Sequence, residues 1–156
     1  MRKIRLPVRL NLLVAGCRSL ADAAAAKRVR VAFEPEPGMF IDTMARFAEL
    51  HERVRHPAFG LCLDVGHLIC LNDGDPAAHI ERWAPVLWQV HLDDMRPGVH
   101  DHLQFGEGVV DLRAVLAALE RVGYEGGAAV ELSRHSYDAV NTARRAWAAL
   151  EVARRA

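Results

Sequence analysis

Four short apolar runs punctuate the chain, and a polar residue follows each at its carboxyl end. They are VRVAFE (29–34), FGLCLDVG (59–66), LWQVHLDD (87–94) and GGAAVELS (126–133). Their β-branched and apolar content, bounded by Pro and Gly, predicts strands, with FGLCLDVG a buried one. Between them the apolar positions recur with a helical period. Phe40, Met44, Phe47 and Leu50 predict a helix over 40–55, and Leu112, Val115, Leu116 and Leu119 predict one over 111–122. Asp75 followed by Pro76 is a helix start, since Pro suits the first helical position. Ala- and Leu-rich residues 11–27 and Ala- and Arg-rich residues 137–155 complete the helices. Residues 1–10 show no period, and the stretch MRPGVHDHLQFGEG (95–108) reads as a polar loop.

The resulting order, α-β-α-β-α-β-α-β-α, predicts one α/β domain with parallel strands built from βα units. The polar residues Glu34, Asp64, His91 and Glu131 are spaced by 30, 27 and 40 positions, lengths that suit such units. Strand side chains alternate between faces. In each strand the polar residue therefore shares a face with mostly small residues, while larger apolar ones lie opposite. Parallel strands bring all carboxyl ends to one rim, where α/β folds keep their sites. The four residues are thus expected to converge.

Composition narrows the partners. Of 156 residues 51% are hydrophobic, enough for a real core, and the formal net charge is zero. That argues against nucleic acid or an anionic membrane, which call for a basic face. Cys17, Cys62 and Cys70 are odd in number and lack CxxC spacing, so no disulfide framework is expected and a reducing cytoplasm is the default. The Arg-rich, acid-free first 21 residues could suggest a leader. Their continuity with the first strand favours a helix of the fold instead. No apolar run approaches the roughly 20 residues of a membrane span.

Three carboxylates and one imidazole on a single rim repel one another unless a cation joins them. Such an oxygen-rich set suits Mn²⁺, Mg²⁺ or Co²⁺, with Zn²⁺ also compatible. Taken singly, each residue would serve as a helix cap or ion-pair partner; four in register favour one divalent metal. His67, three residues past Asp64, is expected just above the strand as a substrate or second-metal ligand. His100 and His102 form an HxH that could chelate from an extended segment; His102 is the stronger candidate. Arg96 could bind a substrate oxygen or phosphate. Asp93 and Asp94 are candidates to support His91, and Glu36 would join Glu34 only if its strand continued past Pro35. The GEG at 106–108 reads as a tight turn, and Trp83, Trp88 and Trp147 as packing aromatics.

FEPEPG, LCLDVGH, VHLDD with HDHLQFGEG, and AVELS together resemble the xylose-isomerase-like TIM barrels, over roughly residues 12–155. The resemblance implies a metal held by Glu34, Asp64, His91 and Glu131. It implies that Glu34 and Glu131 act as an acid/base pair in an isomerase or epimerase of a small sugar, sugar phosphate or hydroxy-ketone, through an enediolate. His67 would contact substrate. In the apurinic endonuclease branch a DxH precedes the GEG; here His102 fits and His100 replaces the aspartate, which weakens a phosphoester-hydrolase reading. A full barrel has eight βα units, typically about 250 residues; four strands correspond to its second half. The chain is therefore expected to be a fragment, a half completed by a partner chain, or a homodimer of half-barrels. Alone, such a half could be inactive.

Overall fold

The computed structural model describes residues 6–155. The first helix, α1, runs Leu6–Ala26 and buries Leu10, Val14, Cys17 and Ala21, a stripe with three- and four-residue steps. It begins earlier than expected. Of the residues read as irregular, 1–5 lie outside the described part, and 6–10 are helical. Pro7 is tolerated there because a first-turn N–H has no carbonyl to claim it.

The remaining elements are β1 (Val31–Phe33), α2 (Met44–Val54), β2 (Phe59–Asp64), α3 (Val65–Leu71), α4 (Pro76–Trp83), β3 (Leu87–Leu92), β4 (Asp94–Arg96), β5 (Val99–Leu103), α5 (Leu112–Arg121), β6 (Gly127–Val130) and α6 (Ala139–Arg155). Four strands form one parallel sheet in the order β1-β2-β3-β6. This is the α/β sheet that the alternating pattern predicts.

Local chemistry sets the boundaries. Thr43 caps α2 by accepting the Arg46 N–H, so that helix starts at Met44 and not at Phe40. Asp75 caps α4 with Pro76 in its first turn. Asn72 ends α3 in the left-handed conformation, φ 50°. The strand predicted over 59–66 stops at Asp64, because Asp64 caps α3 and pulls Val65 and Gly66 into the helix.

The sheet is two-faced. Phe33, Phe59, Leu61, Leu63, Val90 and Leu92 pack into the core against Met44, Phe47, Leu50, Ile80 and Val115 from the helices. Burying each large apolar side chain is worth about 1.5–3 kcal/mol. Ala32, Cys62, Gln89 and Ala129 alternate onto the other face, which carries the rim residues. The ladder slips between Leu61 and Cys62, which leaves Trp88 unpaired. Its indole lies against Gly60, where a Cβ would come within 2.8 Å of the ring, and carries the Arg30 guanidinium 4.7 Å above it.

Two expectations fail here. Residues 94–103 are not a loop; β4 and β5 form an antiparallel hairpin of their own. Pro97 and Gly98, with Gly98 at φ 75°, make the two-residue turn. Trp147 does not pack in the core. It is 64% exposed on α6 and, with Ala143, Ala146, Leu150 and Val130, lines an open apolar groove of about 500 Å³. Trp83 is a packing aromatic, its ring 5.1 Å from Phe47. All three cysteines are buried and unpaired. No helix among the described residues is long and apolar enough to cross a membrane.

Candidate metal centre

Each rim residue stands at the carboxyl end of its strand. Asp64 is the last residue of β2 and pairs in register with His91 of β3. Glu34 lies one residue past β1. Glu131 lies one past β6, where its N–H still donates to the Leu92 carbonyl at 3.0 Å. The ladder and the pleat thus carry all four to one face, and one ligand atom from each lies within 4.8 Å of the others. His91 sits at the centre. Its Nδ1 is 3.1 Å from Glu34 Oε1 and 2.7 Å from Glu131 Oε2.

The two oxygens of Asp64 have different duties. Oδ1 accepts the His67 N–H at 2.8 Å as the helix cap. Oδ2 is buried without a hydrogen-bond partner. An orphaned carboxylate oxygen in a residue that shares a cluster with two glutamates and an imidazole is what a cation would satisfy. Burial, then the neighbouring Asp93, raises the Asp64 carboxyl well above the usual range. Three carboxylates and one imidazole therefore fit a hard or borderline divalent ion.

His91 has a partner that sequence reasoning missed. Cys62 Sγ lies 3.6 Å from its Nε2. Cys62 is two residues before Asp64 on the same face, so alternation alone could have exposed the pairing. The hydrogen bonds to Cys62 and then Glu34 hold the His91 imidazolium up to about 11. Asp93 and Asp94 do not support His91, because the chain leaves the sheet after Leu92. Asp93 accepts the Gly66 N–H at 3.1 Å and stands 2.7 Å from His102 Nδ1. Gly66 must be glycine for that approach, since a Cβ would fall 2.2 Å from the Asp93 carboxylate. Asp94 gathers the N–H groups of Gly106, Gly108 and Val110. The GEG is therefore a turn wrapped around an internal carboxylate, as expected, and offers no phosphate cradle.

His67 sits in the first turn of α3, not on a loop, and is 4% exposed. Its Nδ1 bonds the Pro35 carbonyl at 3.1 Å and lies 3.8 Å from Glu34. Burial lowers it to about 4, so it stays neutral. His102 is buried and its ring is raised by Asp93. His100 and Glu36, the weaker candidates, are both at the rim. The strand alternation of β5 puts His100 and His102 on one side, and His100 Nε2 is 3.5 Å from Glu36 Oε1. Arg96 is not drawn into this cluster; its guanidinium donates twice to the Glu107 carbonyl, at 3.0 and 2.8 Å.

A parallel βα sheet carrying a carboxylate-and-histidine rim at its carboxyl end defines the class: part of a TIM barrel. The chain belongs to the xylose isomerase-like TIM barrel family, whose sequence model matches residues 2–155. An L-ribulose-5-phosphate 3-epimerase, UlaE, of Salmonella paratyphi C is 28% identical over 117 residues, covering 75% of this chain and 41% of the relative. The 3-keto-D-glucoside 4-epimerase YcjR of E. coli superposes with a TM-score of 0.81 at 22% identity, over 97% of this chain and 57% of that one. A zinc-bound IolI protein superposes with a TM-score of 0.76 at 24% identity, over 96% and 58%. The chain thus spans about half the length of the proteins it resembles, and its sheet holds four parallel strands of the eight in a full barrel.

Proposed function

We propose that this chain carries the metal-binding half of an active site that isomerises or epimerises a small sugar, sugar phosphate or hydroxy-ketone. The observation that carries the reading is that Glu34 and Glu131 both approach His91 Nδ1, at 3.1 and 2.7 Å, with Asp64 completing the set. Epimerases among the relatives and structural neighbours support it. Glu34, Asp64, His91 and Glu131 would hold one divalent ion. When bound, the ion supplies Lewis acidity to a carbonyl and its neighbouring hydroxyl. One glutamate takes the proton from the carbon beside the carbonyl; the other, protonated, returns one to the opposite face. His67 and His102 orient substrate hydroxyls. Arg96 is left out of this reading, since its donors are spent on Glu107.

Four further βα units would close the wall. A second copy, a partner chain or a longer polypeptide would supply them, and the open apolar groove beside β6 fits any of these. The three unpaired cysteines favour a reducing cytoplasm as the setting.

The test is deuterium exchange from D₂O into ketoses with metal present. Glu131→Gln should keep the fold, weaken metal binding and slow exchange by about 100-fold or more. Exchange at the wild-type rate in that variant would remove Glu131 from the mechanism. No exchange by the metal-loaded wild type would end the enzymatic reading for the chain on its own.

A further inference from the structure

The two nitrogens of His91 meet different chemistry. Nδ1 faces the carboxylates of Glu34 and Glu131. Nε2 reaches the Cys62 sulfur, 3.6 Å away. Strand register explains the meeting. Asp64 pairs with His91, and Cys62 lies two residues before Asp64 on the same face. The β1–β2 ladder ends with Phe33 opposite Leu61, so Glu34 comes level with Cys62. Ala32 and Ala129 are the small neighbours on that face, and both are exposed. One ligand atom from each of Glu34, Cys62 and His91 lies within 4.8 Å of the others. Cys17 and Cys70 belong to no such group among the described residues.

We propose that Cys62 gives this rim a second binding mode, in which Cys62, His91 and Glu34 hold a thiophilic divalent ion such as Zn²⁺ or Cd²⁺. The mode shares Glu34 and His91 with the four-residue set, so the two exclude each other. It rests on the reading of the rim as a metal site, but not on any turnover. Zinc binds sulfur at about 2.3 Å and imidazole nitrogen at about 2.0–2.1 Å, which sets the two donors roughly 3.5–3.6 Å apart in a tetrahedron. Cys62 Sγ and His91 Nε2 already stand at 3.6 Å. A Glu34 oxygen makes the third ligand, and the fourth position is left for water or a substrate oxygen. The thiol proton leaves to solvent as the metal–sulfur bond forms, because the thiolate is the ligand. Thiolate is a softer donor than carboxylate, so Cys62 sorts ions by softness; Mn²⁺ and Mg²⁺ gain nothing from it. Asp64 and Glu131, which carry oxygen donors alone, serve the harder ions.

The competing account is a neutral thiol hydrogen-bonded to the imidazole. Charge-transfer absorption from sulfur to metal separates the two and does not depend on the epimerase reading. The metal-free chain, its thiols kept reduced by a phosphine, is titrated with Cd²⁺ and separately with Mn²⁺. Circular dichroism checks the fold of every variant. Cd²⁺ should raise an ultraviolet sulfur-to-cadmium band that saturates at one equivalent. Cys62→Ser should lose the band and bind Cd²⁺ at least about tenfold more weakly, while its Mn²⁺ affinity holds. Cys62→Ala, which adds no hydroxyl to a buried position, repeats the test should serine disturb the strand. Glu131→Gln should weaken Mn²⁺ and leave the band in place. A wild type without the band overturns the proposal. So does a band that survives loss of the Cys62 sulfur. Mn²⁺ bound with no Cd²⁺ band would leave the carboxylate site standing and this inference fallen.

Discussion

His91 shows how a single side chain can anticipate a metal. Without one, its raised imidazolium is the counter-ion of Glu34 and Glu131. A cation on the same carboxylates must displace that proton, so binding and deprotonation are linked. Below about pH 11 each metal bound through His91 should release a proton. Apparent affinity should then rise about tenfold per pH unit through neutrality. Titration of the metal-free chain in weakly buffered solution, with released acid followed by indicator, checks this. No released acid would mean that His91 is already neutral. The rim residues Glu34, Asp64, His91 and Glu131 were readable as sequence because each ends an apolar run. Cys62, Glu36 and His100 were harder. Cys62 looks like any small core residue, Glu36 is hidden behind Pro35, and His100 is placed by a hairpin that the pattern did not reveal.

At the scale of elements, that hairpin is the main departure from what the sequence suggested. Its strands are short, polar and rich in histidine, so they carry no hydrophobic alternation. The signal lay in Pro97-Gly98, a turn pair, and was masked by the glycines around it. Most helices and the strands β1 to β3 were legible because their apolar residues face a core and must keep its period, whereas β6 is exposed along its length and was legible from its apolar run alone. The hairpin answers instead to Asp94, which organises the following loop through three N–H bonds of 2.8–2.9 Å. Asp94→Ala strands those amides in a partly buried loop. The expected cost is about 3 kcal/mol, read as a lower urea midpoint. Asp94→Asn, which keeps one acceptor oxygen, should fall between. An unchanged midpoint in Asp94→Ala would show that water replaces the carboxylate without loss.

Across the whole molecule, the sheet, the helices and the rim are parts of one arrangement, and Asp64 joins them. The same carboxylate ends β2, caps α3 and keeps a second, unpartnered oxygen that the proposed metal centre would use. A ligand that binds only the folded form adds its binding free energy to the folding equilibrium. Here that energy enters at one helix end. Divalent cation should slow amide exchange first at the start of α3, around His67, and chelation should let that turn fray before the sheet opens. Uniform protection across the chain would argue that Asp64 is no such junction. Cation supply would then act as a setting on how long this part of the protein stays shut, independent of any turnover.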